Sequence, residues 1–170
     1  MSLRSSLHAL TFAWFIAPAT LAGESPCAGD AYRAFDFWVG QWEVFLEDGR
    51  KAGDNRISVR EGGCLLLEEW RGVRGSTGTS MNFYDPASEQ WVQVWMGSGS
   101  LIRISGGIVE DAMSLQGEIT DLGSHATLPF RGLWTPLDDG RVRQFFEQSE
   151  DDGETWSAWF EGFYVKKAQR

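Results

Sequence analysis

Acid–base or metal chemistry would depend on very few side chains in this sequence. His8 and His125 are its two histidines, and His8 lies in an N-terminal segment that is expected to be cleaved off, so a site with several histidine ligands is excluded and a Ser-His-Asp triad would have to use His125. His125 follows a Gly123-Ser124 turn, where a histidine is usually solvated. Glu68 could act as a general acid or base if burial raised its pKa, but Glu69 points to the opposite strand face and cannot assist it. We therefore predict no metal and no cofactor, keep Glu68 and His125 as the catalytic candidates, and favour a protein that is not an enzyme.

Non-covalent binding of a small molecule is better supported, by sets of aromatic and hydrogen-bonding residues that alternate along the chain. Side chains two positions apart share one face of a strand. Aromatic surface with a few convergent polar groups is typical of a ligand pocket. The predicted ligand-binding residues are Glu68, Trp70, Ser80, Asn82, Tyr84, Trp91, Gln93, Trp95, Gln144 and Phe146. The alternative is that these aromatics fill a narrow interior and the amides tie strands together or face water.

Ten short strands would position these residues. Apolar alternation is interrupted by turn sequences such as Glu47-Asp48-Gly49, Asp85-Pro86 and Asp138-Asp139-Gly140, which supply the backbone angles that tight turns need. The predicted strands are 42–48, 54–60, 63–71, 77–84, 90–96, 100–107, 112–118, 125–134, 141–149 and 156–165. A short amphipathic helix is predicted before them, over 30–38, from apolar residues at 31, 34, 35 and 38.

These strands must pair antiparallel, because the connections are too short for parallel crossovers. No helical stretch after residue 40 could cover a sheet face, so the sheet must close on itself or split into a sandwich, and closure also removes exposed edges. The predicted fold is all-β, an antiparallel up-and-down barrel of about ten strands with a short N-terminal helix. On the face of 141–149 that carries Arg141, Arg143, Phe145 and Glu147, we expect an exposed surface with charge pairs.

The N-terminus has the pattern of an export signal. Residues 1–22 hold Arg4, an apolar stretch and the small-residue end Ala17-Pro18-Ala19-Thr20-Leu21-Ala22, which predicts a cleaved signal peptide and a periplasmic or secreted protein. A retained N-terminal anchor is the alternative; without one, no integral membrane segment remains. Residues 23–170 then form a single domain. Cys27 and Cys64 both lie in the exported part, where a disulfide between them would stabilise the fold by roughly 3–4 kcal/mol.

Composition limits the partners. The chain has a net charge of −9, and without residues 1–22 it has 14 Lys and Arg against 24 Asp and Glu, or −10. This acidity makes nucleic acid a poor partner. The predicted partner is a small apolar or amphipathic molecule, and oligomeric state is left open.

Two motifs support the barrel. Gly40-Gln41-Trp42 follows the predicted helix and looks like the Gly-x-Trp start of lipocalin-like barrels, in which a basic residue of the last strand, here Lys166 or Lys167, lies over the tryptophan. Ser149 to Trp156 matches the Ser-x-Asp-x-Gly-x-Thr-Trp "Asp-box". We interpret the Asp-box as hairpin-turn architecture rather than a glycosidase site.

Together these segments resemble the bacterial domain-of-unknown-function 1579 family. The resemblance covers residues 27–167, and its main motifs are 35–44, Gly63-Cys64, Glu68-x-Trp70, 78–85, Trp91-x-Gln93-x-Trp95, Arg143-Gln144 and 149–156. It implies an exported lipocalin-like (calycin) barrel and brings no established activity. The chain departs from the family pattern at Phe146, where a tryptophan is expected.

Three functions follow as hypotheses. The first is a binding protein for a small, largely apolar ligand inside the barrel. The second is an enzyme on the same barrel, such as an isomerase, cyclase or hydrolase that uses Glu68 or His125. The third is a structural or interaction protein whose barrel is filled by side chains. A hollow or filled interior would separate the third from the others.

Overall fold

The computed structural model describes residues 25–168. The predicted signal peptide, residues 1–22, lies outside the described residues. Within the described part of the chain, no helix is long and apolar enough to cross a membrane.

The chain forms a closed ten-stranded antiparallel barrel, as predicted. Each strand pairs with the next along the chain, and β1 pairs with β10 to close the ring. The strands are β1 (Gly40–Phe45), β2 (Lys51–Arg60), β3 (Leu65–Gly72), β4 (Thr77–Asp85), β5 (Gln90–Gly97), β6 (Ser100–Val109), β7 (Ala112–Asp121), β8 (Thr127–Pro136), β9 (Val142–Gln148) and β10 (Ser157–Lys166). Their ends lie within three residues of the predicted bounds.

Alternation places one half of each strand's side chains inside. In β3, Leu66 and Glu68 are buried while Glu69 is exposed, and in β5, Trp91 and Gln93 are buried while Gln90 is exposed. The same two-residue period runs through β9, where Val142, Gln144 and Phe146 are buried. The interior is therefore composed of the residue sets that alternation defines.

The predicted short N-terminal helix is present and forms the helical entry to the barrel. Within 30–38 it consists of an α-helical turn, α1 (Asp30–Arg33), and a 3₁₀ turn at Asp36–Trp38. A continuous helix would use the Ala31 carbonyl to accept from the residue 35 amide. That carbonyl instead accepts from the Trp91 indole Nε1 at 2.9 Å, so a contact with the barrel replaces the helical hydrogen bond.

The helical entry closes one end of the barrel. Phe35 and Trp38 are fully buried and pack against inward aromatics of the strands. We call this layer the floor: Phe35, Trp38, Trp42, Trp91 and Trp134. The predicted disulfide is present between Cys27 and Cys64 and ties the start of the helical entry to the β2–β3 connection at the same end.

The predicted cation–π contact is formed by Lys166. Its Nζ lies 5.4 Å from the centroid of the Trp42 ring, and Trp42 Nε1 donates to the Trp38 carbonyl at 2.9 Å. The last strand, the first strand and the helical entry therefore meet at Trp42.

Replacing Lys166 with Met should lower the free energy of unfolding by about 0.5–1 kcal/mol, because the apolar stem is kept and the charge over the ring is lost. Urea denaturation is the measurement, since a guanidinium salt would screen the charge. Lys166→Arg keeps a cation over the ring and serves as the control. An equal loss in both variants would show that the charge contributes nothing.

The outer face and the Asp-box follow the sequence interpretation. Arg143 pairs with Glu161 at 2.6 Å and Arg131 pairs with Glu147 at 2.7 Å across neighbouring strands. In the β9–β10 turn, Asp151 accepts hydrogen bonds from Thr155 and Ser149, and these bonds lower the pKa of its carboxyl to about 2. The Asp-box carboxylate of Asp151 therefore accepts hydrogen bonds from within its own turn, as the architectural interpretation of the motif expects.

Candidate functional site

The barrel is hollow above its floor. A cavity of about 710 Å³ opens at the end opposite the helical entry, where the connections 46–50 and 73–76 lie. We call this opening the mouth. A cavity of this size is in the range that holds a small organic ligand. The third sequence hypothesis, a barrel filled throughout, does not describe this interior.

Aromatic rings form the cavity wall, and glycines of the strands position them. A side chain at Gly78 would overlap the Trp95 ring, and one at Gly132 would overlap the Phe146 ring. The rings therefore lie flat over bare backbone instead of projecting across the lumen. The wall comprises Trp70, Trp95, Phe146, Trp159 and Phe160, with Ile102 beside them.

Polar groups lie at the bottom of the cavity, between the wall and the floor. Glu68 is 4% exposed and Gln93 1%. Glu68 stands opposite Ser80 in the β3–β4 pairing, and Gln93 stands opposite Asn82 in the β4–β5 pairing. We call the cavity-facing group the polar base: Glu68, Gln93, Gln144 and Tyr164.

A chain of hydrogen bonds leads along the polar base toward the Glu68 carboxyl group. Gln93 Nε2 donates to Asn82 Oδ1 at 2.7 Å, and Asn82 Nδ2 donates to Ser80 Oγ at 2.8 Å. Ser80 Oγ then donates to Glu68 Oε2 at 2.6 Å. From the other side, Asn55 Nδ2 donates to Glu68 Oε1 at 2.7 Å. Each step directs a donor at the carboxyl, so the chain stabilises negative charge on it.

Burial opposes that charge. Desolvation raises the pKa of Glu68 to about 7, against the hydrogen bonds from Ser80 and Asn55, which lower it. No basic side chain of residues 25–168 forms an ion pair with Glu68; the hydrogen-bonded residues that lead to it from β2, β4 and β5 are neutral amides and a hydroxyl. The carboxyl can therefore change its protonation state near neutral pH.

Tyr164 on β10 is the fourth residue of the polar base, and its hydroxyl group keeps its proton. Its hydroxyl donates to Gln144 Oε1 and accepts from Asn55 Nδ2 at 3.2 Å. Burial and the nearby Glu68 carboxylate raise its pKa well above the ordinary value. Tyr164 therefore stays neutral and fixes the orientation of Gln144.

The structure brings six of the ten predicted ligand-binding residues to the cavity: Glu68, Trp70, Gln93, Trp95, Gln144 and Phe146. Ser80 and Asn82 are buried one layer behind, where they hold Glu68 and Gln93. Tyr84 packs edge-on against Tyr32, and Trp91 belongs to the floor. Those last two side chains do not line the cavity.

Sequence reasoning missed several residues of the site. Asn55 and Tyr164 of the polar network, Phe160 and Trp159 of the wall, and Ile102 were not predicted. Alternation within 54–60 and 156–165 could have identified three of them. Asn55 shares a strand face with the apolar Ile57, and Phe160 shares one with Tyr164. Mid-strand glycines such as Gly53 and Gly162 are a second signal, since such positions indicate a close approach of another group.

His125 lies outside this site. It occupies the β7–β8 turn with a positive φ of 62°, is exposed, and does not line the cavity. In residues 25–168, no three His, Cys, Asp or Glu side chains are grouped as metal ligands. Of the two catalytic candidates, Glu68 lines the cavity and His125 does not.

Basic side chains lie at the mouth. Arg50, Lys51 and Arg74 line it. Arg50 pairs with Asp48 at 2.7 Å, and Lys51 pairs with Glu43 at 2.7 Å and with Asp54 at 3.0 Å. Two of these three cations are therefore already matched by carboxylates.

No protein-family model matches the chain, and no curated protein does so either.

Proposed function

We propose that this protein is an exported lipocalin-like binding protein that holds a small, largely apolar ligand in its barrel. The observation that carries the proposal is the cavity of about 710 Å³ with aromatic walls and a polar base. Aromatic surface supplies the affinity, and the base orients one polar group of the ligand. The motifs of the domain-of-unknown-function 1579 family support placement in that family, and the Cys27–Cys64 disulfide supports a periplasmic or secreted location.

The direct test is native mass spectrometry of protein purified from its own host. We expect a mass above that of the apoprotein. Collisional activation in the mass spectrometer should release the ligand and leave the apoprotein mass. A homogeneous apo mass, together with no binding of a lipid and isoprenoid panel, contradicts the proposal.

A cavity-blocking variant tests the location of binding. Replacing Ile102, which is 1% exposed and lines the cavity, with Trp should weaken binding of 1-decanol at least about tenfold in isothermal titration calorimetry, because the indole occupies the ligand's volume. Ile108→Trp is the matched control, since Ile108 is 44% exposed near the end of the same strand. Equal affinity in the two variants would place binding elsewhere on the protein.

An enzyme remains the second candidate, because a carboxyl group with a pKa of about 7 suits general acid–base work. Conversion of a host-derived ligand to a new mass by the wild type, and not by Glu68→Gln, would favour it. Equal conversion by both proteins would remove Glu68 from that role.

A further inference from the structure

We propose that the ligand is an amphipathic organic amine whose ammonium group pairs with Glu68 at the polar base while its apolar part lies along the aromatic wall. This inference rests on the proposed function and specifies the class of its ligand. The carrying observation is a buried carboxyl group that is surrounded by aimed donors and that faces a cavity without a basic partner.

The hydrogen-bond network fits an ionised Glu68. Ser80 and Asn55 donate to its two oxygens, and the Gln93–Asn82 pair extends one of these chains. A carboxylate has about four acceptor positions, so two protein donors leave room for ligand N–H groups. What the network does not supply is a positive charge, and a buried carboxylate without one is unfavourable. A ligand ammonium would provide it.

Gln93 and the wall favour the same ligand. Because Gln93 Nε2 is held by Asn82, its carbonyl oxygen is the group left to accept from a ligand in the cavity. The rings of Trp70, Trp95 and Phe160 offer π-faces, which attract organic cations. The net charge of −9 raises the local concentration of cations around the whole protein.

A ligand of the opposite charge, with a carboxylate head bound by the basic side chains at the mouth, fits the cavity less well than an amine does. Arg50 and Lys51 already pair with acidic neighbours, which leaves Arg74 as the mouth cation without an ion pair inside residues 25–168. Glu68 lies four residues along β3 from Gly72 at the mouth, about 13 Å at the usual rise of a strand. An anionic head at the mouth would leave the polar base without a partner.

The side chains that form the polar network with Glu68 are uncharged at neutral pH. Asn55 on β2, Ser80 and Asn82 on β4, Gln93 on β5 and Gln144 on β9 are neutral, and Tyr164 on β10 is the one other titratable group of the described chain within this network. Tyr164 does not titrate in the neutral range. Amine binding should therefore strengthen as the pH rises and Glu68 loses its proton.

The test compares three decyl compounds by isothermal titration calorimetry on the disulfide-bonded protein at about pH 8: decylamine, 1-decanol and decanoate. Decylamine and decanoate are kept below their micelle concentrations, and 1-decanol is kept below its solubility limit. We expect decylamine to bind about tenfold or more tightly than 1-decanol, as a charged hydrogen bond implies, and decanoate to bind most weakly. In Glu68→Gln the ratio of amine to alcohol affinity should fall to within about twofold. Glu69→Gln, the same change on the exposed neighbouring side chain, should keep the wild-type ratio.

A second measurement does not depend on a variant. Near pH 7, decylamine binding to the wild type should release about half a proton, because Glu68 must ionise to pair with the ammonium. Calorimetry in two buffers of different ionisation enthalpy measures this release, which a purely structural Glu68 would not produce.

The outcomes separate the two proposals. Equal affinity for amine and alcohol, or tighter binding of decanoate, overturns the amine inference and leaves a binding protein. Failure of all three compounds to bind, with a homogeneous apo mass from the host, overturns the proposed function and the inference together.

Discussion

Replacing Trp38 with Ala is expected to lower the free energy of unfolding by about 3–5 kcal/mol, the usual cost of removing a large buried aromatic. Trp38 is fully buried in the floor, with its ring stacked on Phe35 at 5.0 Å between centroids and tilted against Trp134 at 5.6 Å. Loss of the ring leaves a cavity below the polar base. The protein can close this cavity only in part, because the ten paired strands fix the width of the barrel. Urea denaturation followed by circular dichroism measures the change.

Trp159→Ala provides the comparison for Trp38→Ala. Trp159 is 43% exposed at the edge of the wall and packs against Phe130 and Phe146, so its removal should cost clearly less than that of the fully buried Trp38. Similar losses in the two variants would mean that the floor does not stabilise the barrel more than the mouth does.

The fold could be predicted from the sequence because its signals are local. Turn residues such as Gly49 and Gly140, both with positive φ, divide the chain at short intervals, and alternation within each segment names the inward face. Antiparallel neighbours and closure then follow from short connections and from the absence of covering helices. The short helical entry follows from its local apolar spacing as well, whereas its division into two turns accompanies a long-range hydrogen bond from Trp91 to Ala31, which the local sequence does not show.

The candidate site could be predicted only in part, because alternation gives the face of a residue and not its height in the barrel. Trp91 and Trp95 share a face of β5, yet Trp91 packs in the floor against Phe35 while Trp95 lines the cavity. Height depends on the stagger of strands around the ring and on how far the helical entry reaches into it. Neither quantity is encoded in the pattern of one strand.

The polar network shows a second limit. Glu68 and Ser80 form a direct cross-strand pair, so their contact follows from the register of one hairpin. Asn55 reaches Tyr164 across 109 positions of sequence, and that contact exists only because β1 pairs with both β2 and β10. A residue such as Tyr164 therefore becomes recognisable as part of the site only once the barrel is closed.

The pH dependence of stability should be governed in the neutral range by Glu68. Its pKa is about 7 in the folded protein and 4.5 ordinarily, so between these values the folded protein retains a proton that the unfolded chain has released. The contribution of Glu68 to stability is thus fully present below about pH 4.5 and is lost as the pH rises to about 7. The difference corresponds to about 3 kcal/mol. Glu68→Gln lacks this titration, so its free energy of unfolding relative to the wild type should rise by about 3 kcal/mol between pH 4 and pH 8.

Urea denaturation of both proteins across this pH range, without ligand, measures the effect. The barrel can accommodate the Glu68→Gln change, because Asn55 Oδ1 has no hydrogen-bond partner in the described structure and can accept from the new amide after Asn55 rotates.

Asp151, whose pKa of about 2 is lowered mainly by hydrogen bonds from Thr155, affects stability in the opposite sense and only as the pH falls below about 4. It is present in both proteins and cancels in the difference, as do the other surface carboxylates. Glu69→Gln should follow the wild-type curve. A difference between Glu68→Gln and the wild type that stays constant from pH 4 to pH 8 would show that Glu68 is not held protonated by burial, and the polar base would then carry a permanent negative charge.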